Sequence, residues 1–250
     1  MDLEIAGRVA LVMGASKGIG RGIAEALAAE GARVAIASRS LEHLEKAASE
    51  IDGEVATFPA DTGDLEQIAK LPDGVTAKLG PIEILVTNTG GPPVGAAIDA
   101  GIDEWRDAYD NLVLSPRVLI EAALPGMRER GWGRIVNVGS SSTREPIPGL
   151  TLSNAHRSGL IGFLKTLARE VAADGITVND IATGRFATDR LASNWGGWKQ
   201  MEEHAAKDIP AARLGQPREY GDLVAFLCSQ RAAYITGTSI AIDGGLLRSV

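Results

Sequence analysis

The stretch LTLSNAHRSGLIGF, residues 150 to 163, has apolar residues at helical spacing and sets Ser153, His156 and Arg157 within five consecutive positions. Residues four apart share a helix face, so Ser153 and Arg157 would project together, with His156 close to that face but not on it. A serine hydroxyl is a weak acid, and proton transfer from Ser153 to a reacting atom needs a water or another donor in between. Arginine is too basic to shuttle protons, but its planar fork grips hydroxyl groups and lends positive charge to a developing alkoxide. His156 is the competing proton carrier because imidazole titrates near neutral pH; packing is the preferred reading for it.

A second group has a different chemistry. In MGASKGIGRGIAEALAAEGA, Gly14, Gly18 and Gly20 fall in a turn with Ser16, Lys17 and Ile19, directly after an apolar run. Ile19, Ile23 and Leu27 then form one apolar helix face, and Gly31 supplies a left-handed cap. Such a turn brings backbone N–H groups and the positive end of a helix close to a bound pyrophosphate.

Both groups depend on a frame. Seven β-rich runs, RVALVM, RVAIAS, EVATFPA, IEILVTN, RIVNVGS, ITVNDIA and SIAID, alternate with helical patterns, as in repeated βαβ units. Ile84–Val86 and Ile135–Val136 are continuously apolar, as parallel strands covered on both faces should be. With no linker-like shift in composition, residues 1–250 are expected to form one α/β domain; residues 185–215 are its most weakly patterned part.

Composition narrows the function. A net charge of −7 argues against a nucleic-acid partner. The single cysteine, Cys228 in DLVAFLCS, offers neither a disulfide nor a multi-cysteine metal site and reads as a buried apolar residue. No apolar run is long enough for a membrane span, and MDLEIAGRVALVMGAS has no basic segment before its apolar run. A cytoplasmic protein with no metal, membrane or nucleic-acid partner is expected.

Over nearly its whole length the chain resembles the short-chain dehydrogenase/reductase family, of the 3-oxoacyl-(acyl-carrier-protein) reductase-like type. Gly14, Gly18 and Gly20 match the family's Gly-x-x-x-Gly-x-Gly, and TNTG at residues 87–90 stands where the family has Asn-Asn-Ala-Gly. GRIVNVGS, GITVNDIATG and YITGTSIAIDGG are further matches. The resemblance implies a Rossmann-type doubly wound parallel sheet with a nicotinamide cofactor across the C-terminal strand ends. Ser38 and Arg39 end the second strand without an acid, so Arg39 and Lys17 would pair with a 2′-phosphate and favour NADP(H) over NAD(H). Asp61, with Thr62 beside it, would contact the adenine. Asn88, near Gly90, would hold the adenosine ribose, and Gly184 and Thr188 would flank the nicotinamide.

The family's reacting residues are a Tyr and a Lys four apart, a Ser after the fifth strand, and an Asn on the preceding long helix. Here Ser140 takes the Ser position, with Ser141 and Ser142 leaving that assignment open by a residue or two. Ser153 and Arg157 take the positions of Tyr and Lys, Arg157 also serving the cofactor ribose. Counting from Trp105 puts Leu112 at the Asn position, with Asn111 beside it. No tyrosine lies between Tyr109 and Tyr220 to replace the missing one, and Tyr109 itself reads as packing. Trp195 and Trp198 around Gly196-Gly197 suggest an aromatic lid over the substrate within 185–215, or else a surface helix pair docked by the two rings.

Two functions follow. One is an NADP(H)-dependent oxidoreductase of a carbonyl/alcohol pair, of 3-oxoacyl type, with an altered proton donor; the other is a cofactor-bound scaffold or sensor without hydride transfer. By resemblance a homotetramer or homodimer is expected, paired through helices at 103–124 and 153–173.

Overall fold

The computed structural model describes residues 1–249. Seven parallel strands, β1 (Val9–Met13), β2 (Arg33–Ser38), β3 (Val55–Pro59), β4 (Ile84–Thr87), β5 (Gly133–Val138), β6 (Ile176–Thr183) and β7 (Ser239–Ile242), form one sheet. Their order is β3-β2-β1-β4-β5-β6-β7. The chain winds outward from β1 to β3, then returns to β4 on the other side of β1. That reversal opens a crevice at the C-terminal ends of β1 and β4, where ligands of doubly wound sheets bind.

Helices cover both faces, which is why the strands are continuously apolar. Val12, Ile36 and Ile84 pack under α1 (Gly18–Ala29), α2 (Leu41–Ser49) and α9 (Pro217–Cys228) through Ile23, Leu27, Leu44 and Val224. Leu11, Leu85 and Ile135 pack on the other side under α3 (Leu65–Leu79), α5 (Ser115–Arg130) and α6 (Thr151–Val171) through Ile68, Leu119, Leu160 and Leu164. Cys228 is fully buried in the first layer, where desolvation pushes its thiol up to about 12, so it serves as core. Residues 185–215 carry α7 (Asp189–Asn194) and α8 (Trp198–Asp208), closed on a small core of Ala192, Met201, Ala205, Ile209 and Leu214.

One departure from the expected long helix at 103–124 matters for the site. It divides into α4 (Ile102–Tyr109), a π-helical turn over Asp110–Leu114, and α5. Pro116 has no N–H for the Leu112 carbonyl, and its ring crowds that carbonyl, so the regular ladder fails there. The Ser115 N–H donates instead to the Asp110 carbonyl, five residues back. The wider turn holds one extra residue and shifts the phase of everything before it. No helix of the described residues is long and apolar enough to cross a membrane.

Candidate active site

At the crevice lies a cleft of about 640 Å³. Its floor is the turn between β1 and α1, where Gly14 has φ +61° and Gly18 φ +59°. A Cβ on Gly14 would sit 2.7 Å from Asn88 Nδ2, so glycine alone lets the turn close against the end of β4. Lys17 precedes α1 without capping it, which leaves the first N–H groups of that helix open to the cleft. By contrast Ser40 caps α2 through the His43 N–H, and Asp64 caps α3 through the Gln67 N–H.

The structure gathers most of the expected cofactor residues here. Gly14, Ser16, Lys17, Gly18, Ile19 and Gly20 line the cleft from the first turn, Ser38 and Arg39 from the end of β2, and Asp61 and Thr62 from the end of β3. Asn88 and Gly90 enter from β4, and Thr188 from the segment after β6. Neither Lys17 nor Arg39 pairs with an acid among the described residues, and the buried Ser38 hydroxyl has no hydrogen-bond partner. Thr188 caps α7 through the Leu191 N–H and lies against Gly18, so residues 185–215 reach across to the glycine turn. Asp61 is bonded locally, accepting from the Gly63 N–H at 3.0 Å.

Gly184 is placed differently from expectation. A Cβ on it would sit 2.6 Å from Asp243 Cα, so this glycine serves the close packing of the chain after β7 and does not line the cleft. Leu112 is also corrected. It is 1% exposed and belongs to the interior, whereas Asn111 lines the cleft with a buried Oδ1 that has no partner. The count from Trp105 assumed a regular helix; the π turn rotates Asn111 into the position that the count gave to Leu112. The signal for this was Pro116.

Behind the cleft, at the C-terminal end of β5, lie the three expected reacting residues. Ser140 follows β5, is half-buried, and accepts from the Ser142 N–H at 3.2 Å; Ser141 and Ser142 are buried. Ser153 and Arg157 share the inner face of α6 at 7% and 9% exposure. None of the three lines the cleft wall itself. Arg157 donates to the Val138 carbonyl at 3.0 Å, two residues before Ser140, which anchors α6 to β5. Burial lowers its pKa to about 10, with Asp180 acting in the opposite direction.

Asp180 was not singled out by sequence, yet it completes a polar row across four strands. In register, Thr87, Asn137, Asp180 and Ser239 are neighbours on β4 to β7. Thr87 Oγ1 donates to Asn137 Oδ1 at 2.8 Å, Asn137 Nδ2 to Asp180 Oδ1 at 2.6 Å, and Ser239 Oγ to Asp180 Oδ2 at 2.6 Å. Burial raises the Asp180 pKa, while these bonds and then Arg157 and Arg144 hold it down. A buried acid and a buried guanidinium thus lie beneath the reacting end without forming a direct ion pair, each held by hydrogen bonds to other groups.

The remaining candidates turn elsewhere. His156 packs edge-on against Trp105 at 5.1 Å and lies 5.9 Å from Tyr109, both on α4, and burial lowers its pKa. Tyr109 is exposed. Trp195 is held between Arg185 at 4.5 Å and His204 at 4.7 Å, while Trp198 is about half exposed. His43, Asp189 and Arg190 line the cleft without having been singled out. His43 follows from its helical phase after the Ser40 cap; Arg190 carries no local signal. No cluster of metal-ligating side chains occurs among the described residues.

Residues 14–247 match the family described as Enoyl-(Acyl carrier protein) reductase. The chain is 39% identical to 3-oxoacyl-(acyl-carrier-protein) reductase FabG of Vibrio harveyi, over 98% of this chain and 99% of that one. It is 35% identical to human dehydrogenase/reductase SDR family member 4, over 96% and 88%. The structure of L-sorbose reductase from Gluconobacter frateurii, complexed with NADPH and L-sorbose, superposes with a TM-score of 0.95 at 32% identity over 100% of both chains. The chain belongs to the short-chain dehydrogenase/reductase family, whose members are oxidoreductases working with a nicotinamide cofactor.

Proposed function

We propose that this protein is an NADP(H)-dependent oxidoreductase of a carbonyl/alcohol pair in which Ser140, Ser153 and Arg157 serve the reacting oxygen. The observation that carries the cofactor choice is the trio at the end of β2 and in the first turn: Lys17 and Arg39 without acidic partners, and the Ser38 hydroxyl without a hydrogen bond. A 2′-phosphate supplies what all three lack. The open N-terminus of α1 and the Gly14–Gly20 turn fit the pyrophosphate in the same way.

Held by the glycine turn and by Thr188, a nicotinamide cofactor would supply hydride chemistry at the substrate carbon. The chain does the rest. A substrate oxygen that enters past the cleft wall to the end of β5 would meet the Ser140 and Ser153 hydroxyls, and Arg157, fixed on the Val138 carbonyl, would stabilise negative charge developing there. Arg157 keeps its proton, so a water held by Asn111 Oδ1, which lacks a partner in the protein, passes a proton to the alkoxide and regains one from solvent through the open cleft. The FabG relatives support a 3-oxoacyl type of substrate and the L-sorbose reductase a ketose type. Residues 185–215 act as a lid through Thr188, and the exposed Ile98, Ile102 and Tyr109 support pairing of subunits through α4 to α6. Light scattering should then give a multiple of 26.1 kDa, and the monomer mass would contradict it.

Fluorescence titration tests the cofactor. NADPH should bind wild type at least about tenfold tighter than NADH, and Ser38→Asp/Arg39→Ile should reverse the order. Equal affinities in the wild type would contradict the reading.

A further inference from the structure

We propose that Arg190 makes the substrate end of the cleft a carboxylate-binding site, so that the carbonyl compound this protein works on carries an acid group. The inference rests on the oxidoreductase reading and extends it to the substrate. Arg190, the second residue of α7, lines the cleft beside Gly90, Gly91 and Asn111, while Lys17 and Arg39 stand by the turns after β1 and β2. The proposed cofactor reading uses Lys17, Arg39 and the glycine turn and assigns Arg190 nothing.

Its surroundings give it no anion. The guanidinium lies over the Gly90-Gly91 backbone, where a Cβ on Gly91 would come 2.8 Å from Arg190 Cζ. Arg185, Arg213 and Arg8 each sit on a carboxylate, but Arg190 forms no ion pair and donates no side-chain hydrogen bond among the described residues. The adjacent Asp189 lines the same cleft without pairing with it. The residue is exposed at the mouth of the cleft, and partial desolvation of the guanidinium lowers its pKa. A cation that lines the cleft without a counter-charge favours an anionic ligand, and a carboxylate matches the fork with two oxygens. A phosphate of the cofactor offers the same face. The glycine turn and Lys17 already meet that group, so the carboxylate is the assignment made.

Calorimetry on the full chain distinguishes the two sources. Pyruvate, acetoacetate and levulinate, each against its methyl ester, are titrated into NADPH-loaded wild type, Arg190→Met and Arg190→Lys, and NADPH is titrated into all three proteins. At least one acid should bind wild type about tenfold or more tighter than its ester. The preference should vanish in Arg190→Met and partly return in Arg190→Lys, with NADPH affinity unchanged. No preference for any acid in the wild type, or a preference that survives Arg190→Met, overturns the proposal. A tenfold loss of NADPH affinity in Arg190→Met without an acid preference assigns the residue to the cofactor and overturns it too. These are binding readouts: Arg190-dependent acid binding without turnover would count against the oxidoreductase reading while leaving this one standing.

Discussion

The two ends of the cleft are built in opposite ways. At the cofactor end, unsatisfied groups stand open: N–H groups at the start of α1, two unpaired cations and an unbonded serine hydroxyl. Behind the reacting end Arg157 and Asp180 are closed off, Arg157 on Val138 and Asp180 within a row of hydrogen bonds that spans four strands, while Arg190 on the cleft itself stays unpaired among the described residues. An open cradle answers to a ligand that binds and leaves whole, whereas a buried charge held in one place can act on an oxygen without reorganising. In the proposed mechanism the reacting end relies on position more than on a strong side-chain acid.

The comparison can be broken first at the cofactor end. Gly14→Ala puts a Cβ against Asn88 at a positive φ, and NADPH affinity should fall by more than about 100-fold with the fold retained, read by titration and circular dichroism. An unchanged affinity would mean that the turn is not the cradle. At the reacting end the π turn makes two neighbouring residues behave oppositely. Leu112→Asn buries an amide in the interior and should cost about 2–4 kcal/mol in urea unfolding. Asn111→Ala should leave stability within about 0.5 kcal/mol and slow turnover about tenfold or more. The reverse pattern would restore Leu112 to the cleft.

The smallest effect concerns His156. Burial lowers its pKa, so the folded protein favours the neutral ring and the unfolded chain binds more protons in acid. The stability contributed by the neutral ring is present above the unfolded value near 6.5 and is lost as pH falls through the lowered folded value. His156→Phe should therefore lose less Tm than wild type between about pH 7 and pH 5, with kcat unchanged. A large loss of kcat would make His156 the proton carrier after all.

The difference between the two ends also governs what the sequence reveals. The glycine turn, Ser38-Arg39 and Asn88 were readable because each works through backbone shape at the end of a strand, and the seven strands were readable because burial on both faces leaves continuous apolar runs. The reacting end joins residues from β5, α6 and the turn before α5, so its reading depends on helical phase. Pro116 disturbs that phase and moves Asn111 into the place counted for Leu112. Asp180 emerges only from strand register, Arg190 only from the path of the segment after β6, and Gly184 proved to be a packing glycine.

Hydride transfer itself is the most direct test. NADPH carrying two deuterons at C4 is incubated with the wild type and a panel of ketones, oxoacyl thioesters and keto acids, and the alcohols are analysed by mass spectrometry. Deuterium should be found at the carbinol carbon of at least one product, with Arg157→Met slowing its transfer by about 10²-fold while NADPH still binds. Tight NADPH binding with no deuterium in any product would contradict the account and leave a cofactor-bound protein without redox chemistry.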